Sequence, residues 1–169
     1  AVLLTDDGRG VAAEIADRLA DFGQQAVIVR MRKPGDDATQ PFAADLADED
    51  EVAALVERVH ERVGRVGAVF HLLPLAADDL PWAQRAQRDT KSLYLLARAL
   101  EDDLCAAGAA GNAFLFGATE LGGGFGFGEA PLPATYSPAH GGTAGFLKCV
   151  AMEWDDVVVR CVDFDGGRP

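Results

Sequence analysis

Long apolar runs, an excess of basic charge and clustered cysteines are all missing from this 169-residue chain. No stretch approaches the ~18 consecutive apolar residues of a membrane-spanning helix, which argues against a membrane partner of that kind. Fifteen Lys and Arg stand against 27 Asp and Glu, a formal net charge of -12. No basic patch is there to release the counterions of a polyanion, so nucleic acid is not expected as a partner. Cys105, Cys149 and Cys161 are far apart and lack CxxC or Cys/His ligand spacing, so no metal site is expected. An odd cysteine count without a signal peptide points to reduced, buried thiols in a cytoplasmic setting. What the chain does have is apolar content, 49% against 25% charged, which suffices for a core and argues against disorder. The length suits one domain, residues 1–169. The chain starts at Ala1 inside what reads as a strand and stops at Pro169 just after another, so it reads as a fragment of a larger multidomain chain.

Apolar periodicity supplies the architecture. Val2–Thr5 is a short apolar run, followed by Val11, Ala12, Ile15, Ala16, Leu19 and Phe22 at helical spacing, with Gly23 as a stop. Ala26–Val29 is a second apolar run. Asp48–Glu51 precede Val52, Leu55, Val56 and Val59, placing acids at the positive end of a helix dipole. Val66–Leu73 is a strong apolar run, and Pro81–Leu104 reads as one long helix with Leu93, Leu96, Leu100 and Leu104 on a face. Ala113–Phe116 and Val157–Val162 read as strands on either side of a Gly/Pro-rich loop and a helix from Gly142 to Trp154. Strands alternating with helices imply right-handed crossovers and a parallel sheet covered on both faces. The expected fold is α/β, a three-layer Rossmann-like arrangement of about six strands in the order 3-2-1-4-5-6.

In such a fold the turn after the first strand is the place for a pyrophosphate. Here it reads Thr5-Asp6-Asp7-Gly8-Arg9-Gly10. Gly8 and Gly10 permit a tight turn but do not complete GxGxxG. Asp6 and Asp7 bring negative charge to the phosphate position, which opposes binding unless Arg9 compensates. Arg30, Arg32 and Lys33 follow the second strand with no acid at the ribose position, which in a working site favours NADPH over NADH. Asp45 falls where an adenine contact would sit. The competing reading of each is structural: a strand-to-helix turn, a solvated turn and a helix-flanking carboxylate.

Three stretches resemble a known family. They are Val2–Ala12, His71-Leu-Leu-Pro-Leu75, and Gly141–Trp154 followed by Val159-Arg-Cys-Val-Asp163. Together they are similar to the short-chain dehydrogenase/reductase superfamily. More narrowly, they resemble the ketoreductase regions of polyketide and polyunsaturated fatty acid synthases. That resemblance implies a region built from two similar halves, one a truncated structural Rossmann layer and the other binding NADPH and reducing a ketone. In the catalytic half a Tyr hydroxyl protonates the alkoxide left by hydride transfer, helped by a Lys that lowers its pKa. Tyr136 stands 17 residues before Glu153, the family register, and Lys91 sits where these ketoreductases place their Lys. His140 stands where the family has Lys or Asn. The chain has two serines, Ser92 and Ser137, neither of them between Gly108 and Thr135, so only Thr119 can stand in for the family Ser.

Two readings follow. In the leading one the chain is the non-catalytic, structural half, needs no cofactor of its own, and braces the catalytic half by burying an apolar face against it. In the other it is an NADPH-dependent β-ketoacyl reductase. Tyr136, Lys91, Thr119 and His140 would then be catalytic, with Thr5, Gly8, Gly10, Arg30 and Asp45 around the cofactor. The resemblance names the partners as the catalytic ketoreductase half, neighbouring synthase domains and an acyl carrier protein. A free-standing acidic binding domain with a vestigial nucleotide pocket is a third reading. His60 reads as a surface or boundary residue and His71 as a satisfied core histidine.

Overall fold

A computed structural model describes residues 1–32, 35–36, 40–77, 80–127 and 136–166. Six parallel strands lie in the order β3-β2-β1-β4-β5-β6. They are β1 (Val2–Thr5), β2 (Ala26–Met31), β3 (Ala43–Ala44), β4 (Ala68–His71), β5 (Phe114–Thr119) and β6 (Val158–Asp163). The helices are α1 (Val11–Asp21), α2 (Glu49–Val63), α3 (Trp82–Arg85), α4 (Ser92–Ala99), α5 (Glu101–Ala109) and α6 (Ala139–Glu153). The expected fold class and strand order are both found.

Strand side chains alternate between two cores. Leu3, Val27, Val29, Val69, Leu115 and Val159 point to the face covered by α2, α4, α5 and α6, forming the larger cluster. Val2 and Leu4 point to the other face, where Ala12, Ile15 and Leu19 of α1 pack on them. The Asp48 side chain accepts from Glu51 N–H at 3.0 Å and caps α2, so the acidic run does the helix-opening work its position suggests.

Several expectations are corrected. β4 ends at His71, because Leu73–Leu75 turn into a short 3-10 segment containing Pro74. The long helix is not continuous. It opens with the single turn α3, widens into a π-helical turn over Ala86–Lys91, runs through α4, bends at Leu100 (φ -106°) and continues to Ala109. The π turn forms where side chains from other elements reach its backbone: His71 Nε2–H and the Thr143 hydroxyl both donate to the Asp89 carbonyl, at 2.7 and 3.4 Å. The thiols are not buried, since Cys105 and Cys149 are exposed on the outer sides of α5 and α6 and Cys161 is half-buried. Coverage of the sheet is unequal, because α1 is the only helix packed on its face among the described residues. Of the basic turn after β2, Lys33 lies outside the described residues.

Two glycines in helices mark opposite situations. A Cβ on Gly108 would lie 2.7 Å from the Asp156 carbonyl oxygen, whereas one on Gly145 would meet nothing within 4 Å. Gly108→Ala should therefore destabilise the chain by about 1–2 kcal/mol, overpacking outweighing the helix-propensity gain. Gly145→Ala should stabilise it by about 0.5–1 kcal/mol. Urea unfolding midpoints check both signs.

Candidate functional site

The strand ends converge on the turn between β1 and α1. Gly8 (φ 67°) and Gly10 (φ 94°) take left-handed conformations there, so both glycines are required by the backbone. Thr5 is buried. Its hydroxyl accepts from Leu72 N–H at 2.8 Å and Leu73 N–H at 3.1 Å, tying β1 to the end of β4.

The anion place of this turn is filled from within. The buried Asp7 carboxylate accepts from the N–H groups of Arg9 (3.0 Å), Val11 (3.4 Å) and Ala12 (2.9 Å). These are the donors that the N-terminus of a first helix offers to a pyrophosphate. Asp6 accepts from Gly8 N–H at 2.9 Å and pairs with Arg30 Nε at 2.9 Å. Arg32 pairs with Glu51. Arg9 turns away from the helix, its Nη1 donating to the Leu75 carbonyl at 3.1 Å and to Glu120 Oε1 at 2.5 Å. Asp45 is exposed; its carboxylate accepts from Ala47 N–H at 2.9 Å and its own N–H donates to Glu51 at 2.8 Å. Of the five residues expected around a cofactor, Thr5, Gly8 and Gly10 share the turn and Arg30 reaches it through Asp6. Asp45 stands apart at the end of β3. As arranged, these residues do not fit a dinucleotide: a carboxylate occupies the phosphate donors, and Arg30 and Arg32 already have carboxylate partners.

The four residues expected to be catalytic have different immediate partners. Thr119 Oγ1 donates to Asp163 Oδ1 at 2.7 Å, and Asp163 also accepts from Leu121 N–H (2.6 Å) and Phe125 N–H (2.7 Å), fixing the glycine-rich loop after β5. His140 is fully buried. Its Nδ1 accepts from Glu120 N–H at 3.1 Å and its Nε2 lies 3.5 Å from Asp89 Oδ2. Lys91 is exposed in a groove on the outer helical surface, alongside Trp82, Tyr94, Pro138 and Phe146. Tyr136 is 42% exposed, with no hydrogen bond to a described residue. Among the described residues no cluster of His, Cys, Asp or Glu suits a metal ion.

Sequence reasoning missed the buried polar group that supports this edge. Asp89 is buried, held by Arg88 Nε at 2.5 Å and by the His140 contact. Burial alone would raise its carboxyl, but the His140 and Arg88 interactions outweigh that and hold it below the ordinary range. His71 is buried beside it; burial dominates and pushes its pKa down to about 4, against the raising effect of its bond to the Asp89 carbonyl. Its Nδ1 has no partner among the described residues, so it is only half satisfied. His60 is exposed, within the surface-or-boundary expectation, and donates to Asp103 at 2.8 Å. Glu120 and Asp163 carry no motif that marks them, since the partners in these bonds lie 20 to 111 residues away, and Asp89 faces His140 from 51 residues off.

No protein-family model matches the sequence, and no curated protein matches it. Solved structures do match the fold. A SCOR enzyme from Clostridium thermocellum is similar with a TM-score of 0.72 at 19% identity, covering 95% of this chain and 69% of that one. A 3-ketoacyl-(acyl-carrier-protein) reductase from Brucella melitensis, complexed with NADH, gives 0.71 at 23% identity over 95% and 73%. The adenylation, ketoreductase and pseudo Asub multidomain structure of a keto acid-selecting NRPS module gives 0.72 at 15% identity, over 99% of this chain and 13% of that one. At these identities the likeness is one of fold alone, an α/β Rossmann-like parallel sheet flanked by helices. No helix among the described residues is long and apolar enough to cross a membrane.

Two measurements probe the site. Asp7→Ala leaves three N–H groups without their carboxylate and should cost about 1–2 kcal/mol, with Asp7→Asn recovering part of it. For His71, the folded chain stays neutral down to about pH 4 while the unfolded chain takes up its proton near 6.5. The unfolded state thus binds more protons in that window, and stability falls as pH falls, by about 3 kcal/mol in all. Asp89 acts further down, its contribution being lost as pH falls below the ordinary carboxylate value of 3.8. Urea midpoints at pH 7.5 and 4.5, compared with those of His71→Gln, check the first loss.

Proposed function

We propose that this chain is a structural, non-catalytic subdomain of a ketoreductase in a multidomain synthase, part of a longer polypeptide, where it braces an NADPH-binding catalytic half. The observation that carries this reading is the Asp7 carboxylate on the opening N–H groups of α1, where a pyrophosphate would otherwise be held. The commitments of Arg30 to Asp6, Thr119 to Asp163 and His140 to the core support it. So does the likeness to a fold that, in one solved structure, is a ketoreductase among other synthase domains. Neighbouring synthase domains and an acyl carrier protein are the partners this reading implies, and the cytoplasm its compartment.

The second reading, an NADPH-dependent β-ketoacyl reductase, draws on Tyr136, a partly exposed residue just ahead of α6 with no hydrogen bond to a described residue. Lys91 would serve from the groove it shares with Pro138, with Thr119 and His140 released from their present partners.

Titration of the purified chain with NADPH, followed by nicotinamide fluorescence, separates the two. No saturable change is expected; micromolar binding overturns the structural reading. Were binding seen, Tyr136→Phe would abolish turnover of a β-ketoacyl thioester if the reductase reading holds.

A further inference from the structure

In a chain with 27 acids to 15 cations, one stretch of surface runs the other way. Residues 81–100 and 136–152 form α3, the π turn, α4 and most of α6. They carry Arg85, Arg88, Lys91, Arg98 and Lys148 against a single acid, the buried Asp89. Arg88 is spent on Asp89 and Arg98 on Glu49 of α2. Lys91 is exposed and meets no carboxylate among the described residues. It lines a groove of about 510 Å³ between the two helical stretches, within the size range of small-molecule sites.

Small residues make the groove. Thr90 meets α6 at Gly142, where a Cβ would lie 3.0 Å from the Thr90 hydroxyl oxygen, so no side chain fills the space above. Ala86 and Ala139 complete the floor, and the Thr90 hydroxyl is already bonded to the Ala139 carbonyl at 3.0 Å. Trp82 stands at the start of the groove, and the Tyr94–Phe146 ring pair, centroids 5.9 Å apart, stands further along it. Among the described lining residues Lys91 alone carries a charge at neutral pH. Length and charge then define the occupant. The helical rise of 1.5 Å per residue gives about 12 Å from Pro138 to Phe146, the reach of an alkyl chain of about ten carbons at ~1.25 Å each. Aromatic walls over a floor with no idle hydroxyl favour hydrocarbon over a peptide or sugar, whose polar groups would go unpaired there. A two-fold contact would set this cationic surface against itself, which argues against a second copy.

We infer that the groove between the π turn and α6 binds one unbranched aliphatic chain with an anionic head, the chain between Trp82 and Phe146 and the head on Lys91. The groove shares no lining residue with the turn between β1 and α1. The site therefore goes beyond the proposed function, and NADPH binding by the chain would overturn the bracing role without touching it.

Trp82, 67% exposed, reports the filling of the groove. Trp154→Phe leaves it as the single indole of the whole chain. Decanoate, kept below its micelle concentration at pH 7.5, should shift that emission to the blue and saturate. Decyltrimethylammonium, the same chain under a cationic head, should bind about tenfold more weakly, and Lys91→Glu should reverse that order. Each methylene removed from the acid should weaken binding about threefold. Ala86→Leu, which fills the floor, should weaken decanoate by about tenfold or more, whereas Phe22→Ala, at the end of α1, should change nothing. Calorimetry on the unaltered chain reads the same affinities without the Trp154 variant, and circular dichroism melts confirm that the others stay folded. Absence of saturable binding overturns the inference. So does binding indifferent to both Lys91→Glu and Ala86→Leu, or binding lost with Phe22→Ala. A blue shift that follows protein concentration without ligand, with dimers in sedimentation velocity, would give the groove to a second copy and overturn the aliphatic anion as its occupant.

Discussion

Asp7 turns its carboxylate onto the N–H groups that open α1, so the positive end of that helix is neutralised from within the chain. The rest of the crevice is arranged around this closure. With the anion place filled, Arg9 is free to reach across to Leu75 and Glu120. The Glu120 backbone in turn donates to His140, and His140 faces Asp89 in the buried polar group beneath the π turn. One line of polar contacts therefore runs from the first turn of the chain to the centre of its larger helical layer. A ligand entering there would have to displace interactions that also fix the core.

The same logic applies to charge. A chain with net charge -12 has few cations, and among the described residues three arginines about the crevice are committed to its own acids. Arg30 is held by Asp6, Arg32 by Glu51 and Arg9 by Glu120. Exposed pairs of this kind add little stability individually. Their effect here is to hold the guanidinium groups of Arg30 and Arg32 on carboxylates, at the position where a 2′-phosphate would need one.

Much of the fold was legible because apolar runs and periodicity survive folding unchanged. Val2–Thr5, Ala26–Val29, Ala113–Phe116 and Val157–Val162 each mark a strand, and the alternation of strands with helices is enough for the sheet order. The π turn was not legible, since it depends on His71 and Thr143, donors from β4 and α6. Nor was the bare half-face: Phe114, Phe116 and Val158 read as buried strand residues whether or not a helix of the same chain lies over them. At the site, the two acids beside the glycines signalled opposition to phosphate, but not that Asp7 itself takes the phosphate's donors. Thr119 showed the opposite limit. Its type and register suggested a hydroxyl available to a substrate, and only the position of Asp163, 44 residues on, commits it elsewhere.

Asp163 joins two pieces that the sequence separates. It closes β6 and gathers donors from Thr119, Leu121 and Phe125, while the Phe164 carbonyl accepts from Gly122 and Gly123. Phe125 holds its positive φ of 54° within that set of bonds. The outermost strand and the loop after β5 are thus one mechanical part. Peeling β6 from the sheet would release the loop in the same step, so this edge cannot fray residue by residue and opens only as a unit.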